Sequence, residues 1–299
     1  MLAQLALMQI RFAVHNSGLA IRRYWPLIKD LQTGLLLLTG VAGFLSAACP
    51  AGRWLTLLGL AGSLFLAISG STVLNMAYDA DIDAMMRRTC WRPLPRGLVT
   101  VRQAVILGAA LSILGVGWAL LLAPLYGLIV FVGLFFDVAV YTVWLKRRTP
   151  YAIIIGGLAG GMPVLAGRTL ALGQVDLVGL MLALGVLLWI PTHIMTFAMR
   201  HFDDYQIARV PTFPAAYGFS ATRAVIAVSS LAAALVMGWA AAAVGAHIGL
   251  LAALGVMGLG LLGLALLGVV RPSPRASFAL FKYASLYMFA AMVVIAVAA

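Results

Sequence analysis

Runs of about twenty apolar residues, each long enough to cross a bilayer as a helix, recur along almost the whole chain. Hydrophobic residues make up 64% of the 299 residues and charged residues only 9%, whereas water-soluble domains average about 25% charged. The pattern predicts an all-α fold, a polytopic transmembrane bundle of about nine helices. The runs lie at roughly 31–48, 54–76, 104–122, 125–145, 152–171, 177–198, 221–244, 248–270 and 277–298.

The distribution of positive charge favours nine spans. The split after Leu122 depends on Ala123-Pro124 as a turn, so counts of eight or ten also fit the apolar pattern. Lys and Arg accumulate on the cytoplasmic side of membrane proteins. With nine spans and a cytoplasmic N-terminus, all 20 of these residues except Arg53 and Arg168 fall inside. This indicates a multi-pass protein of the cell membrane, and the net charge of +12 then reflects topology instead of nucleic-acid binding.

Residues 1–30 differ from the rest of the chain. The apolar stretch from Leu2 to Ile10 is followed directly by Arg11, and no cleavage site of small residues follows a charged start. We interpret this cytoplasmic segment as a helix lying at the membrane surface and not as a signal peptide. Residues 31–299 then form a single transmembrane domain.

Acidic residues are concentrated on the predicted inner side, where Asn75, Asp79 and Asp83 follow one another at intervals of four. If the helix continues, these three project from one stripe, whereas Asp81 points the other way. Carboxylates near a bilayer are costly unless paired, and Mg²⁺ is held by one or two carboxylates together with substrate phosphates. The stripe therefore predicts a Mg²⁺ site for a diphosphate, with a merely solvated helix end as the alternative. The inner Asp residues are Asp30, Asp79, Asp81, Asp83, Asp203 and Asp204.

Four arginines, at positions 87, 88, 92 and 96, follow this stripe. Guanidinium groups donate charge-assisted hydrogen bonds that suit phosphate oxygens. Because topology explains part of this charge, we assign only Arg88 and Arg92 to the substrate.

A second polar group lies at the inner end of the sixth predicted span. His193 and Asp204 are eleven residues apart, so they share a face if the helix persists. Pro191 should kink this helix, and His193 is predicted to lie inside the bundle, where a helix-to-helix hydrogen bond is an equally good interpretation. One further carboxylate, Asp137, falls at membrane depth; it is either functional or bonded to a neighbouring helix.

Two acidic helix ends facing one cavity, open toward the cytoplasmic side, would bind one diphosphate through Mg²⁺, while the apolar bundle would hold an isoprenoid tail. The reaction class expected from such a site is prenyl transfer. Metal and arginines stabilise the departing diphosphate, and a pocket poor in water protects the allylic cation.

Three stretches of the chain carry a family pattern. They are NMAYDADIDAMMRRTCWRPL at 75–94, YTVWLKRRT at 141–149 with IGGLAGGMP at 155–163, and WIPTH at 189–193 with DDY at 203–205 and Pro211. Together they resemble the UbiA-type intramembrane prenyltransferases, whose first motif is NxxxDxxxD, and within them the heme O synthase (protoheme IX farnesyltransferase) branch. The chain departs from the usual KPR at Lys29 and from an expected Arg at His201.

The resemblance implies a helical bundle, an Mg²⁺-dependent donor site, and transfer of a farnesyl or longer isoprenyl group from its diphosphate to a vinyl group of heme B. The product would be heme O for terminal oxidases. The predicted catalytic and metal-binding residues are Asn75, Asp79 and Asp83, with Asp204 as a further metal ligand. The second acidic site consists of Asp203, Asp204 and Tyr205. The residues predicted to bind the diphosphate are Arg88, Arg92 and Lys146.

The sequence identifies the residues that would bind the heme acceptor less specifically than those that would bind the diphosphate donor. His193 and His201 are the candidates to contact heme iron, of which His193 is preferred. Lys146 could meet either the diphosphate or the heme propionates, and we favour the diphosphate. The glycines of the fifth span are interpreted as close helix contacts and not as a phosphate loop.

Three alternatives stay open at this point. Another member of the same superfamily would prenylate an aromatic quinone precursor such as 4-hydroxybenzoate. A membrane transporter should bind its substrate near the bilayer midplane, whereas these polar residues cluster at one face. A non-catalytic heme carrier would leave the Asn/Asp stripe without a purpose.

Overall fold

A computed structural model describes residues 23–47 and 54–298 of the chain. Every element in these two ranges is helical. The surface helix expected between Leu2 and Ile10 lies outside the described residues, as does Arg53.

A short 3₁₀ turn, Trp25–Ile28, precedes the helices of the bundle. They are α1 Asp30–Leu45, α2 Trp54–Tyr78, α3 Ala80–Met85, α4 Val101–Leu122, α5 Pro124–Phe135, α6 Ala152–Gly156, α7 Leu158–Leu172, α8 Leu177–Arg200, α9 Phe202–Ile207, α10 Phe213–Val244, α11 Ile248–Val270 and α12 Pro274–Ala298. Between α5 and α6, the segment Phe136–Leu145 continues α5 as a π-helix.

Eight helical segments of the described ranges are long and apolar enough to cross a membrane. The first predicted span, 31–48, corresponds to α1, which has 16 residues and is shorter than the other eight. Pro124 begins α5, so the turn expected at Ala123-Pro124 separates two spans. The prediction of an all-α membrane bundle is confirmed in this part of the chain.

Two helices that could continue through the polar motifs according to the sequence are interrupted there. The first ends at Tyr78, and Asp79 has φ −90° and ψ 6° before α3 begins. The second ends at Arg200, and His201 has φ −108° and ψ 31° before α9 begins. The helix expected to persist from His193 to Asp204 is therefore broken. Across the first break, Asp79 N donates to Asn75 O at 3.0 Å and Asp83 N to Asp79 O at 2.8 Å, so a helical turn is kept through the stripe.

Small residues let the helices pack closely, as expected for the fifth span. A Cβ added to Gly167 in α7 would lie 1.9 Å from the Gly40 carbonyl oxygen in α1, and one added to Gly161 would lie 2.7 Å from the Ala183 carbonyl oxygen in α8. Neither position tolerates a larger side chain without separating the helices. These glycines are packing residues, as the sequence indicated.

The two ends of the bundle differ in how their charges are arranged. At one end, called here the site end, the breaks at Asp79 and His201 lie with the end of the π-helical segment. At the other end, Arg168 is buried and donates to both carboxylate oxygens of Asp176 and to the Ser46 carbonyl oxygen. Burial alone would raise the pKa of Asp176, but the hydrogen bonds from Arg168 and from Gly179 N hold it below its ordinary value.

Candidate active site

Asp79 is the most buried carboxylate at the site end, with 2% of its surface exposed. Its Oδ2 accepts a hydrogen bond from the Lys146 ammonium. Its Oδ1 is buried without a hydrogen-bond partner among the described residues, and Arg147 Nη2 lies 3.9 Å away from it. One oxygen of the carboxylate is thus left free for a ligand.

The π-helical segment brings two side chains to this stripe. A π-helix widens the turn, as seen in the bond from Lys146 N to Tyr141 O five residues back. Lys146 follows the segment directly and reaches Asp79, while Thr142 Oγ1 accepts from Asn75 Nδ2 at 2.8 Å. Burial alone would lower the pKa of Lys146, but Tyr141 and Asp79 outweigh it and raise the pKa above its ordinary value.

Lys29 is a site residue that the sequence reasoning missed. Its Nζ donates to Asn75 Oδ1 at 3.0 Å, and its backbone has φ 48° and ψ 61°, the left-handed region that side chains other than glycine rarely adopt. Burial, then the charges of Arg92 and Lys146, lower the pKa of Lys29 to about 8. The signal that could have found it was the family's KPR element, whose Lys is kept at position 29; only the departure after that Lys was considered, and Lys29 was otherwise grouped with the orientation charges.

Asp83 is also buried and paired. Arg92 Nη1 lies 2.7 Å from Asp83 Oδ2, and Thr89 Oγ1 donates to the Asp83 carbonyl oxygen at 2.9 Å. The predicted pairing of stripe carboxylates with basic side chains therefore involves Arg92 and Lys146.

Asp204 joins the second motif to the first. Its Oδ1 accepts from Arg87 N at 3.2 Å and its Oδ2 from Arg88 N at 3.3 Å. The loop that carries the arginines is thus held by a carboxylate more than a hundred residues away in sequence. Of its neighbours, Asp203 is exposed and Tyr205 is half-buried.

Arg88 is the predicted diphosphate residue without an ion pair in the described ranges. Its guanidinium lies 4.9 Å from the centre of the Phe197 ring, and its Nε is buried without a hydrogen-bond partner. In contrast, exposed Asp81 holds Arg147 through two hydrogen bonds of 2.6 and 2.8 Å. That bond lowers the pKa of Asp81 and identifies Arg147 as a structural partner of this loop.

A small cavity of about 50 Å³, open to solvent, adjoins Lys146. Its walls are mainly apolar and aromatic, and they come from the π-helical segment, from α6, α8 and α9, and from the loop before α10 with the start of that helix. They include Tyr141, Ile153, Met195, Tyr205 and Phe213. Apolar walls beside a cationic side chain match the chemistry of a hydrocarbon chain attached to a phosphate group.

His193 is fixed between two aromatic rings. The Trp189 ring stacks on one side at 4.7 Å and the Phe281 ring at 4.5 Å, and Ser285 Oγ lies 3.2 Å from Nδ1. The predicted hydrogen bond from His193 to another helix is thus made through Nδ1. Its Nε2 has no hydrogen-bond partner among the described residues. His201 lies at the helix break with its ring 4.5 Å from Phe197, and burial, followed by the charge of Arg88, lowers its pKa.

Asp137 is bonded to a neighbouring helix. Ser71 in α2 donates a hydrogen bond to its carboxylate. The predicted bond to a neighbouring helix is thus confirmed.

The donor set fits Mg²⁺ bound together with a phosphate better than a cage of protein ligands. Three or more His, Cys, Asp or Glu residues do not cluster as a metal site anywhere in the described residues. The four predicted ligands, Asn75, Asp79, Asp83 and Asp204, are thus not gathered around one point. However, Mg²⁺ commonly uses one or two carboxylates and takes its other oxygens from phosphate and water. The free Oδ1 of Asp79 meets that requirement.

Comparison with known proteins gives a consistent result. The model of the UbiA prenyltransferase family matches residues 36–293. A protoheme IX farnesyltransferase of Korarchaeum cryptofilum is 44% identical over 205 residues, 69% of this chain and 69% of that one. Another, from Pyrobaculum arsenaticum, is 44% identical over 214 residues, 71% of this chain and 76% of that one.

Solved structures share the fold. A UbiA homolog from Archaeoglobus fulgidus, bound to GPP and Mg²⁺, superposes with a TM-score of 0.68. It is 16% identical and covers 91% of this chain and 99% of its own. At this identity the similarity concerns the arrangement of the helices.

Proposed function

The chain belongs to the UbiA prenyltransferase family, and we propose that it transfers a farnesyl group from farnesyl diphosphate to a vinyl group of heme B, which yields heme O. The observation that carries this proposal is the buried carboxylate stripe with its basic partners. Asp79 and Asp83 are each held by a cation, and Asp79 keeps one oxygen free. The names of relatives that are 44% identical support heme as the acceptor.

The donor site would hold the diphosphate between the stripe and the arginine loop. Asp79, through Oδ1, and Asp83 are the residues that would hold Mg²⁺, while Asn75 positions Lys29 and Asp204 holds the arginine loop. When bound, Mg²⁺ neutralises charge on the departing diphosphate.

The basic side chains supply positive charge around the diphosphate. Arg88, which has no ion pair among the described residues, donates to the diphosphate oxygens, and Lys146 and Arg92 orient the carboxylates and add positive charge. Charge-assisted donors fixed in advance stabilise the diphosphate most where its charge develops.

The covalent change follows from the substrates. The allylic carbon–oxygen bond of the donor breaks, and its electron pair leaves with the diphosphate. The vinyl group of heme attacks the allylic carbon to form a carbon–carbon bond, and water then adds to the adjacent carbon and loses a proton. The apolar walls of the cavity beside Lys146 would contact the farnesyl chain and keep other water from the allylic cation.

His193 is the proposed axial contact to the heme iron. Its ring is fixed by Trp189 and Phe281, and its Nε2 is available, which suits an axial imidazole. His201 is the second candidate. The excess of Lys and Arg at the site end supports a cytoplasmic orientation of this end in the cell membrane.

The test is a product assay with two acceptors. Purified protein in detergent receives Mg²⁺ and farnesyl diphosphate, together with heme B or 4-hydroxybenzoate, and the products are resolved by mass. We expect a heme heavier by a hydroxyfarnesyl unit, and its loss in Asp79→Asn. Prenylation of 4-hydroxybenzoate with heme unchanged would overturn the acceptor and keep the donor site.

A further inference from the structure

A continuous aromatic strip runs between α8 and α12 on the side of the bundle that carries His193. It consists of Trp189, His193 and Phe197 on α8 and of Phe278 and Phe281 on α12. Phe281 stacks on His193 at 4.5 Å and lies 5.8 Å from Phe197 and 6.4 Å from Phe278. All five rings are only half-buried, so part of the strip is open to a ligand.

Two cations meet at one end of this strip. Arg200 Cζ lies 3.9 Å from the centre of the Phe278 ring, and Lys282 Nζ lies 4.5 Å from the same centre. Neither forms an ion pair with a carboxylate in the described ranges, although most Asp residues near the site are paired with cations or backbone N–H groups. Topology accounts for positive charge at this end, but it does not require two cations from different helices to share one ring.

The spacing along α8 separates the cations from the imidazole. His193 and Arg200 are seven residues apart, two helical turns, so they lie on one face about 10 Å apart along the axis. The strip thus has the His193 ring nitrogen at one level along the α8 axis, with aromatic faces beside it. The two positive charges lie at another level along the same axis.

Heme has matching chemistry, because it is a flat apolar ring with a central iron and two carboxylates on one edge. We propose that Arg200 and Lys282 bind the two propionates of the acceptor heme, with the aromatic strip against the macrocycle. The proposal rests on heme being the acceptor, as argued above. The vinyl groups lie away from the propionates, so anchoring the propionates leaves the vinyl edge free to meet the donor.

Carboxylate recognition can be tested with heme B and its dimethyl ester, in which both propionates are masked. Absorbance titration measures binding of each compound to wild type, Arg200→Gln, Lys282→Gln and the double variant. Hydrogen bonds between charged groups suggest about a tenfold loss of affinity per removed cation for heme B, with little change for the ester. Arg275→Gln is the matched control, since Arg275 is exposed at the same end and makes no ring contact among the described residues.

Turnover gives an independent readout of the same variants. We expect KM for heme to rise about tenfold per removed cation while KM for farnesyl diphosphate stays unchanged. If the double variant still prefers heme B over its ester as strongly as wild type does, the propionate site is wrong. Loss of co-purified anionic phospholipid in the double variant, with that preference intact, would also overturn it and indicate a lipid headgroup site.

The two proposals fail in different ways. If wild type binds heme B better than the ester through these cations but prenylates only a phenolic acid, the proposed function fails and the carboxylate site stands. If heme is prenylated without any preference for free propionates, the carboxylate site fails alone.

Discussion

The Lys29 ammonium donates a hydrogen bond of 3.0 Å to the side-chain oxygen of Asn75. Lys29 holds this position in a left-handed backbone conformation, φ 48°, at the end of the 3₁₀ turn that precedes α1. The turn itself is fixed to α2, because Thr72 Oγ1 donates to the Ile28 carbonyl oxygen at 3.1 Å. The chain thus accepts an unfavourable backbone conformation where a side chain reaches the site, a combination that is common at functional positions.

The variant Lys29→Gly distinguishes the role of the Lys29 ammonium from that of its left-handed backbone conformation. Glycine adopts φ 48° without strain, so we expect the thermal midpoint to change little, while loss of the ammonium lowers kcat/KM for the diphosphate donor about ten- to a hundredfold. Lys29→Arg should keep part of the activity. Full activity of Lys29→Gly would show that Lys29 serves only the fold.

Asp79 and Asp81 form a matched pair for testing the stripe. We expect Asp79→Asn to reduce kcat by about a hundredfold or more, because it removes a buried charge beside Lys146 and the free oxygen at the donor site. Asp81 is exposed and bonded to Arg147 at the surface, so Asp81→Asn should change kcat by less than about threefold. Equal losses in both variants would contradict the assignment of the stripe.

Asp204 should control the order of the arginine loop. Asp204→Ala removes the acceptor of two backbone N–H groups, so trypsin should cleave after Arg87 or Arg88 faster than in wild type, and donor binding should weaken. Asp203→Ala is the control, since Asp203 is exposed beside it. Unchanged cleavage in Asp204→Ala would mean that other contacts hold the loop.

The Arg168–Asp176 pair should make stability depend on pH at the opposite end of the bundle. The folded-state pKa of Asp176 lies below its ordinary value, so its contribution is present above the unfolded-state pKa and is lost as pH falls through the folded-state pKa. Asp176→Asn should lower the unfolding free energy near neutral pH by about 1–3 kcal/mol and flatten the decline of the thermal midpoint in acid. Asp203→Asn, at an exposed position, should do neither.

The spans and the donor motif could be read from the sequence because each depends on nearby residues. Apolar runs decide which segments enter the membrane, and the spacing of Asn75, Asp79 and Asp83 survives the helix break because their backbone hydrogen bonds continue through it. The break itself was not visible in the sequence, and Asp79 at the break is bonded to Lys146, which lies 67 residues away.

Other features of the site arise only from tertiary contacts. The π-helical segment turns Thr142 toward Asn75, and nothing in its composition distinguishes it from an ordinary span. The stacking of Phe281 on His193 joins α12 to α8, and the sequence offered no reason to pair these helices. Lys29 was counted with the orientation charges, because a basic residue before a span has that role in most membrane proteins.

The central claim is that this bundle transfers an isoprenoid from its diphosphate to heme, and a single-turnover count tests it most directly. Enzyme in excess over heme B is mixed with Mg²⁺ and farnesyl diphosphate, and released diphosphate and heme products are quantified together. We predict one diphosphate released for each heme that becomes heavier by a hydroxyfarnesyl unit. Release of diphosphate with farnesol and unchanged heme, or no release at all, would contradict the claim.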